Sequence, residues 1–159
     1  MEAQAQAEPI KVAFGGRRTG MGAYTRYRIF SLRRKAEIEP HRTERSRTGN
    51  HWTDYWFLLS GKYFICWQDI SNSGKHSCGY GLLVVGSPFI QLISGELILA
   101  REVKRVDYKT IRADGKDYEL KDVVAYSQEN YGIARWNGKI PEFAQDAICE
   151  CIVPRRFAD

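Results

Sequence analysis

The residues best suited to chemistry are the arginines of the N-terminal third of the chain, which alternate with tyrosines and glycines. Guanidinium and ammonium groups neutralise nucleic-acid phosphates, and the resulting affinity does not depend on base sequence. Aromatic rings among the cations add stacking on unpaired bases. The predicted phosphate contacts are Arg17, Arg18, Arg26, Arg28, Arg33, Arg34 and Lys35, and the predicted stacking residues are Tyr24 and Tyr27.

The charge of the chain is concentrated in the same region. Residues 11–50 contain 11 Lys and Arg against 3 Asp and Glu, a net charge of +8, whereas residues 51–159 contain 13 against 14, a net charge of −1. This asymmetry indicates a polyanionic partner, either nucleic acid or an acidic protein, although a basic surface also serves solubility. The sequence contains no RNP motif, zinc-finger spacing or Walker loop that would narrow the choice.

A second candidate is Glu150, which lies in the predicted final strand Ile148–Val153. Because side chains alternate along a strand, Glu150 shares a face with Ile148 and Ile152, and a desolvated carboxylate is suited to acid–base catalysis. The strand is similar to the catalytic-glutamate strand of DNA-modifying ADP-ribosyltransferases. That resemblance implies Glu150 as the catalytic carboxylate of an enzyme acting on nucleic acid or nucleotide. The N-terminal histidine motif of the family is missing, and a solvent-facing Glu150 is the alternative.

Two pairs of soft metal ligands occur at a spacing of two residues, His76 with Cys78 and Cys149 with Cys151. On strands both members of a pair point the same way, so two adjacent strands would assemble four ligands suited to zinc. Zinc knuckles use a different spacing, and a buried cysteine also serves as a small apolar residue. The sequence therefore predicts no metal site and no cofactor, with zinc at these four residues as the alternative.

The C-terminal third carries aromatic residues on closely spaced predicted strands. Its motifs are Asp114-Gly115-Lys116-Asp117-Tyr118, Asp122-Val123-Val124-Ala125-Tyr126 and Tyr131-Gly132-Ile133-Ala134-Arg135. On these motifs, residues 106–153 resemble bromo-adjacent homology domains and related SH3-like modules of chromatin and transposon proteins. The resemblance implies binding of protein segments through aromatic side chains, here Tyr118, Tyr126 and Trp136. The long acidic loop that follows the third motif in that family is missing.

Turn signals separate short stretches of β-branched and aromatic residues along most of the chain. No segment has helical periodicity over about twelve residues. We predict a mainly β protein: a small SH3-like or partly open β-barrel with little helix and a basic N-terminal arm. The predicted organisation is a disordered tail at 1–10, a basic arm with short strands over 11–50, and a β-rich core domain over 51–159.

Individual elements are predicted from the same signals. In the arm, strands are predicted over 11–14 and 24–32, a turn at Gly15-Gly16 and a loop over 41–50. In the core, a hairpin is predicted for 52–59 with 63–68, for 108–113 with 116–120, and for 123–126 with 131–136. One helical turn is predicted over 141–147.

Length and hydropathy limit the class of protein. A chain of 159 residues can bury a core without disulfides or metals. The first ten residues are polar and no apolar run has the length of a membrane span. We therefore expect an intracellular protein, cytoplasmic or nuclear, that is not secreted and has no membrane partner. A non-enzymatic binding module is the main hypothesis. An ADP-ribosyltransferase-like enzyme and a structural subunit of a larger complex are the alternatives.

Overall fold

The computed structural model describes residues 8–18, 24–49, 51–70 and 76–147, and this part of the chain is mainly β. Its fourteen strands form four antiparallel sheets, which do not close into a barrel. The helical segments in the described residues are two 3₁₀ turns, Leu120–Asp122 and Glu142–Ala144, the second of which continues as helix over 145–147. No helix in this part of the chain is long and apolar enough to cross a lipid bilayer.

Two of the sheets contain the N-terminal strands. Sheet I has the order β1 (Ile10–Arg18), β5 (His51–Leu58), β4 (Thr43–Thr48). Sheet II has the order β14 (Tyr131–Ala134), β7 (His76–Val85), β6 (Gly61–Ile70), β2 (Tyr24–Ser31), β3 (Ala36–Glu37).

The other two sheets are built from residues 89–127. Sheet III has the order β13 (Val123–Ser127), β8 (Phe89–Leu92), β9 (Leu97–Leu99). Sheet IV has the order β10 (Val103–Arg105), β11 (Thr110–Ala113), β12 (Lys116–Glu119).

Sheets I and II pack face to face because their strands alternate apolar with polar side chains. Val12 and Phe14 of β1 meet Ile29 of β2, and the remaining buried members of this core come from β5, β6 and β7. Alternation with a period of two puts every second residue on this inner face. The sandwich therefore includes strands from both the predicted arm and the predicted core domain.

The opposite face of sheet II is covered by the end of the described chain. Phe30 lies opposite Phe64 in the β2–β6 register, and both rings pack with Cys66, Ala144 and Ala147. The helical turn predicted over 141–147 is confirmed. It forms because two small alanines allow it to lie close to the aromatic residues of the sheet.

Sheets III and IV enclose a separate small core. It is formed by Ile90, Ala100, Val103, Ile111 and Ala113. A further cluster joins this core to sheet II, because Phe89 of β8 packs with Val84 and Ala134. Residues 89–127 are therefore attached to the sandwich by an apolar contact.

One of the three predicted hairpins is confirmed. Strands β11 and β12 form a hairpin around Asp114-Gly115. Asp114 and Gly115 have φ angles of 48° and 86°, which are the positive values that a two-residue hairpin turn requires at both positions. The Asp-Gly signal in the sequence therefore fixes this turn.

Four predictions in the chain trace are wrong. Strands β5 and β6 are not a hairpin, because β5 pairs with β1 and β4 in sheet I whereas β6 pairs with β2 and β7 in sheet II. The turn predicted at Gly15-Gly16 is a bulge within β1, where the register against β5 shifts between Phe14 and Arg17. The segment 41–50, predicted as a loop, contains β4. This strand lies at the exposed edge of sheet I, and its sequence is polar. Strands β13 and β14 are not a hairpin, because β13 pairs with β8 and β14 pairs with β7.

The structure also shows how the predicted arm relates to the predicted core. The boundary at residue 50 falls in the connection between β4 and β5, which pair along six residues. Strand β2 pairs with β6 along eight residues. The described strands of 11–50 are thus members of the same sheets as those of 51–70. The strand predicted over Ile148–Val153 lies outside the described residues.

Candidate basic interface

Two cavities open on the side of the sandwich where β2 faces the segment 38–45, which we call the basic side. The larger, of about 610 Å³, is walled by the end of β2, by residues 38–41 and by the β5–β6 turn. The smaller, of about 440 Å³, lies between the start of β2, β4 and β5. Between them, the N–H of Ile38 donates to the carbonyl of Ile29 at 2.9 Å and ties the segment to β2.

The larger cavity combines a cationic rim with an apolar floor. Its basic lining residues are Arg33, Arg34, His41 and Lys62. Its apolar lining residues are Leu32, Ile38, Leu58, Leu59 and Tyr63. Glu39 is the one carboxylate in the lining. Three side chains that are permanently charged near neutral pH thus face one acidic group.

Hydrogen bonds hold both walls of this cavity in place. At the end of β2, the N–H of Arg34 donates to Ser31 Oγ at 2.9 Å, and the N–H of Lys35 donates to the Ser31 carbonyl at 2.8 Å. In the β5–β6 turn, the Tyr63 hydroxyl donates to the Leu59 carbonyl at 2.6 Å. Burial raises the pKa of Tyr63, so this hydroxyl stays protonated and remains a donor.

The smaller cavity is lined by side chains of β2, β4 and β5. Arg26, Arg45, Asp54 and Trp56 are among its lining residues. Arg45 is paired with Asp54, with Nε to Oδ1 at 2.7 Å. Arg45 also lies with its guanidinium carbon 5.6 Å from the centre of the Trp52 ring. Arg26 is thus the cation of this cavity that remains available to a ligand, since it has no ion pair among the described residues.

Several other basic residues of the N-terminal region are occupied within the fold. Arg28 donates two hydrogen bonds to Glu37, at 3.0 and 2.7 Å. Lys11 and Arg42 share Glu44 on the outer face of sheet I, and their hydrogen bonds hold the pKa of Glu44 below its ordinary value. These pairs stabilise the edges of the sheets and neutralise part of the positive charge.

Four of the predicted phosphate contacts have no such partner. Arg33, Arg34 and Lys35 lie in the exposed turn after β2, and Arg26 lies on the exposed edge of that strand. Within the part of the chain that the structure describes, none of their side chains forms an ion pair or a hydrogen bond. The unpaired cations are Arg26, Arg33, Arg34 and Lys35. Four of the nine residues predicted to bind nucleic acid are therefore exposed cations without a partner among the described residues.

The aromatic part of the predicted interface is placed differently. The Tyr27 ring is half-buried, with its centre 4.6 Å from that of Phe14, and it packs against the core of the sandwich. Tyr27 therefore contributes to the packing between the two sheets. The backbones of Arg17, Arg18 and Tyr24 belong to β1 and β2, but their side chains lie outside the description.

The three aromatic residues predicted to bind a protein segment do not all share one cluster. Tyr118 packs against the small core between sheets III and IV. Trp136 packs edge-on against Phe64, with ring centres 4.9 Å apart, in the cluster beneath sheet II. Tyr126 is partly exposed, and its hydroxyl accepts a hydrogen bond from Arg105 at 3.4 Å. Two of the three rings thus serve separate cores.

The remaining chemical candidates lie mostly beyond the described residues. Glu150, Cys149 and Cys151 are outside them. Cys78 is exposed on β7, and for His76 only the backbone is described. Across residues 8–147, with the gaps given above, no three His, Cys, Asp or Glu side chains are grouped as metal ligands would be.

Sequence analysis missed Lys62 and His41 as members of the basic side. Lys62 lies at the start of β6, in a nearly neutral part of the chain, and His41 lies in a segment predicted as a loop. Neither has a local sequence signal, because both reach the larger cavity only through the pairing of β2 with β6 and the crossing of residues 38–42 between sheets.

Comparison with known proteins provides no further guide. The chain matches no protein-family model, no curated protein and no solved structure. Its function therefore has to be inferred from its own residues.

Proposed function

We propose that the protein is a non-enzymatic module that binds nucleic acid through phosphate contacts on the basic side. The unpaired cations Arg26, Arg33, Arg34 and Lys35 are the contacts in this proposal. The observation that carries it is their lack of carboxylate partners in the described chain, although neighbouring cations are paired. A fold that neutralises Arg28 and Arg45 internally leaves these four exposed.

The chemistry of the unpaired cations suits a phosphate backbone. Guanidinium groups bind phosphate with two parallel hydrogen bonds, and each contact releases counterions from the nucleic acid. Such contacts position a strand without reading its bases. Because Tyr27 is packed inward, the proposal rests on charge and not on base stacking, and weak sequence preference is expected.

The test is fluorescence anisotropy with the full chain and labelled oligonucleotides of about 16 nucleotides. Single-stranded DNA, duplex DNA and RNA are compared at about 50 mM and about 200 mM salt. We expect salt-sensitive binding that the double variant Arg33→Glu/Arg34→Glu weakens. The slope of log affinity against log salt is expected to fall by about 1.4–1.8, since each lost phosphate contact removes about 0.7–0.9.

The matched control is Lys104→Glu/Lys139→Glu, which makes the same change in net charge at two exposed lysines outside the basic side. It should retain most of the affinity. If both double variants lost the same affinity, the loss would be explained by net charge alone, and the proposal of a defined interface would be contradicted. Absence of binding to all three nucleic acids would instead favour an acidic protein partner or a structural role in a larger complex.

We also propose that residues 89–127 form an SH3-like, partly open barrel. The support is the succession of β8 to β12, a 3₁₀ turn at Leu120–Asp122, and the return of β13 to pair with β8. Strands β9 and β10 follow each other closely and pair with different partners, as one kinked strand would. The predicted resemblance to SH3-like modules began at residue 106, so this proposal extends it toward the N-terminus.

A further inference from the structure

We infer that the larger cavity of the basic side binds a phosphate monoester attached to a planar ring. A mononucleotide has this chemistry, whether it is free or forms the phosphorylated end of a strand. The choice of ligand rests on the proposed function. The inference goes beyond that function by assigning the larger cavity to a single nucleotide, either free or at the end of a strand. Its volume of about 610 Å³ lies within the usual range for small-molecule pockets.

The charged rim of the cavity suits the phosphate. Arg33 and Arg34 approach from the turn after β2, and Lys62 approaches from the start of β6. Lys62, like the two arginines, has no ion pair among residues 8–147 as described. A phosphate monoester carries more charge than a phosphodiester, with a second pKa near 6, so three converging cations favour a terminal phosphate over an internal one.

The floor of the cavity suits the ring. Leu58 is buried, and Leu59 beside it is 37% exposed. Leu32 and Ile38 complete the apolar lining from the opposite wall. Aromatic rings of ligands bind on apolar surfaces while a small number of polar groups fix their orientation.

The cavity is preorganised for its ligand. The hydrogen bonds at Ser31 and at Tyr63 fix the backbone of both walls. Walls on three sides come from residues 31–34, 38–41 and 58–63. The backbone of the cavity therefore needs little ordering when a ligand binds, which reduces the entropic cost of association.

The test compares oligonucleotides that differ only at one end. Full-length protein is titrated with the same single strand carrying a 5′-phosphate, a 3′-phosphate or hydroxyl groups alone, and separately with AMP and with inorganic phosphate. We expect one phosphorylated end to bind about tenfold more tightly than the hydroxyl strand, in keeping with charge-assisted hydrogen bonds. AMP is expected to bind more tightly than inorganic phosphate because it also covers the apolar floor.

Two matched variants separate the cavity from the rest of the interface. Lys62→Gln should remove most of the preference for the phosphorylated end and should weaken binding of the hydroxyl strand by less than Arg26→Gln does. Arg26→Gln, in the smaller cavity, should weaken all strands and preserve the preference. Glu39→Gln removes the carboxylate in the lining and should increase the preference. Unchanged thermal unfolding of each variant would show that the fold is intact.

The outcomes distinguish this inference from the proposed function. Binding of strands without end preference, together with no binding of AMP, would overturn the inference and leave the proposed function standing. Binding of AMP without binding of any strand would support the cavity as a site for free mononucleotide and contradict the proposed function. Displacement of AMP by a glutamate-rich peptide at equal concentration would overturn the inference in favour of an acidic protein segment.

Discussion

Residues 11–50 and residues 89–127 have nearly the same length but use their charged side chains differently. The first segment contains 11 basic and 3 acidic residues, whereas the second contains 7 of each. In the second segment carboxylates pair with cations that are near in sequence. Asp117, for example, pairs with Arg112, with Oδ1 to Nε at 2.6 Å. In the first segment the four unpaired cations have no such partner in the described chain.

Charged side chains in residues 89–127 stabilise the fold, whereas the unpaired cations in residues 11–50 are available to a ligand. Asp114 accepts hydrogen bonds from the backbone N–H groups of Arg101 and Glu102, each at 3.0 Å, and so stabilises the hairpin turn beside it. Charged side chains of this kind stabilise the local backbone. The four unpaired cations form no ion pair or side-chain hydrogen bond within the described residues, and the turn after β2 is fixed by Ser31 and by backbone hydrogen bonds.

The largest expected effect comes from deleting residues 1–50. If the basic segment were an independent arm, the remaining 51–159 chain would fold. The structure predicts the opposite, because the deletion removes β1 and β4 from sheet I and β2 and β3 from sheet II. It also exposes Leu58 and Ile65 of the sandwich core. Far-UV circular dichroism and thermal unfolding should show no cooperative transition, and a sharp transition would contradict this account.

Substitutions in the two cores are expected to have the next largest effect. Ile65 lies in the sandwich and Ile111 in the small core, and both are fully buried. Ile65→Ala and Ile111→Ala should each lower the free energy of unfolding by about 2–5 kcal/mol, through lost burial and the cavity left behind. Denaturant unfolding followed by tryptophan fluorescence and by circular dichroism measures both.

The same pair of variants tests whether the regions unfold together. All four tryptophans lie outside residues 89–127, so their fluorescence reports on the rest of the chain. Because Phe89 packs with Val84 and Ala134, we expect Ile111→Ala to shift the tryptophan transition as well. A tryptophan transition that stays in place while the circular dichroism signal splits would show that the two regions unfold separately.

The smallest expected effect is at Asp114. Its carboxylate has a pKa below the ordinary 3.8, first because of the hydrogen bond from the Arg101 N–H and then because of that from Glu102. A lowered pKa stabilises the folded state fully above the ordinary value, and this contribution is lost as the pH falls through the folded-state value. Stability should therefore fall below about pH 4.

Two variants at this position separate charge from backbone strain. Asp114 has a φ of 48°, a left-handed conformation that asparagine tolerates better than alanine. Asp114→Asn should lower the melting temperature slightly and reduce the acid sensitivity, whereas Asp114→Ala should lower it further at neutral pH. Equal melting temperatures for the two variants would indicate that backbone conformation contributes nothing.

The strands could be predicted where local signals were strong. The β11–β12 hairpin was predicted to within two residues of its observed limits, and its Asp114-Gly115 turn follows from dihedral preferences that act within four residues. Strand β4 was missed because an edge strand exposed to solvent needs no apolar alternation. The β13–β14 hairpin was wrong because adjacency in sequence favours pairing but does not decide it.

Local composition was enough to predict that the chain is mainly β and that its positive charge lies in residues 11–50. Both properties are sums over local composition, so they need no knowledge of neighbours. Which cations form ion pairs, and which line the same cavity, depends on the tertiary structure. Lys62 and Arg33 come together because β2 lies beside β6, and strand pairing over such separations depends on burial of a shared core.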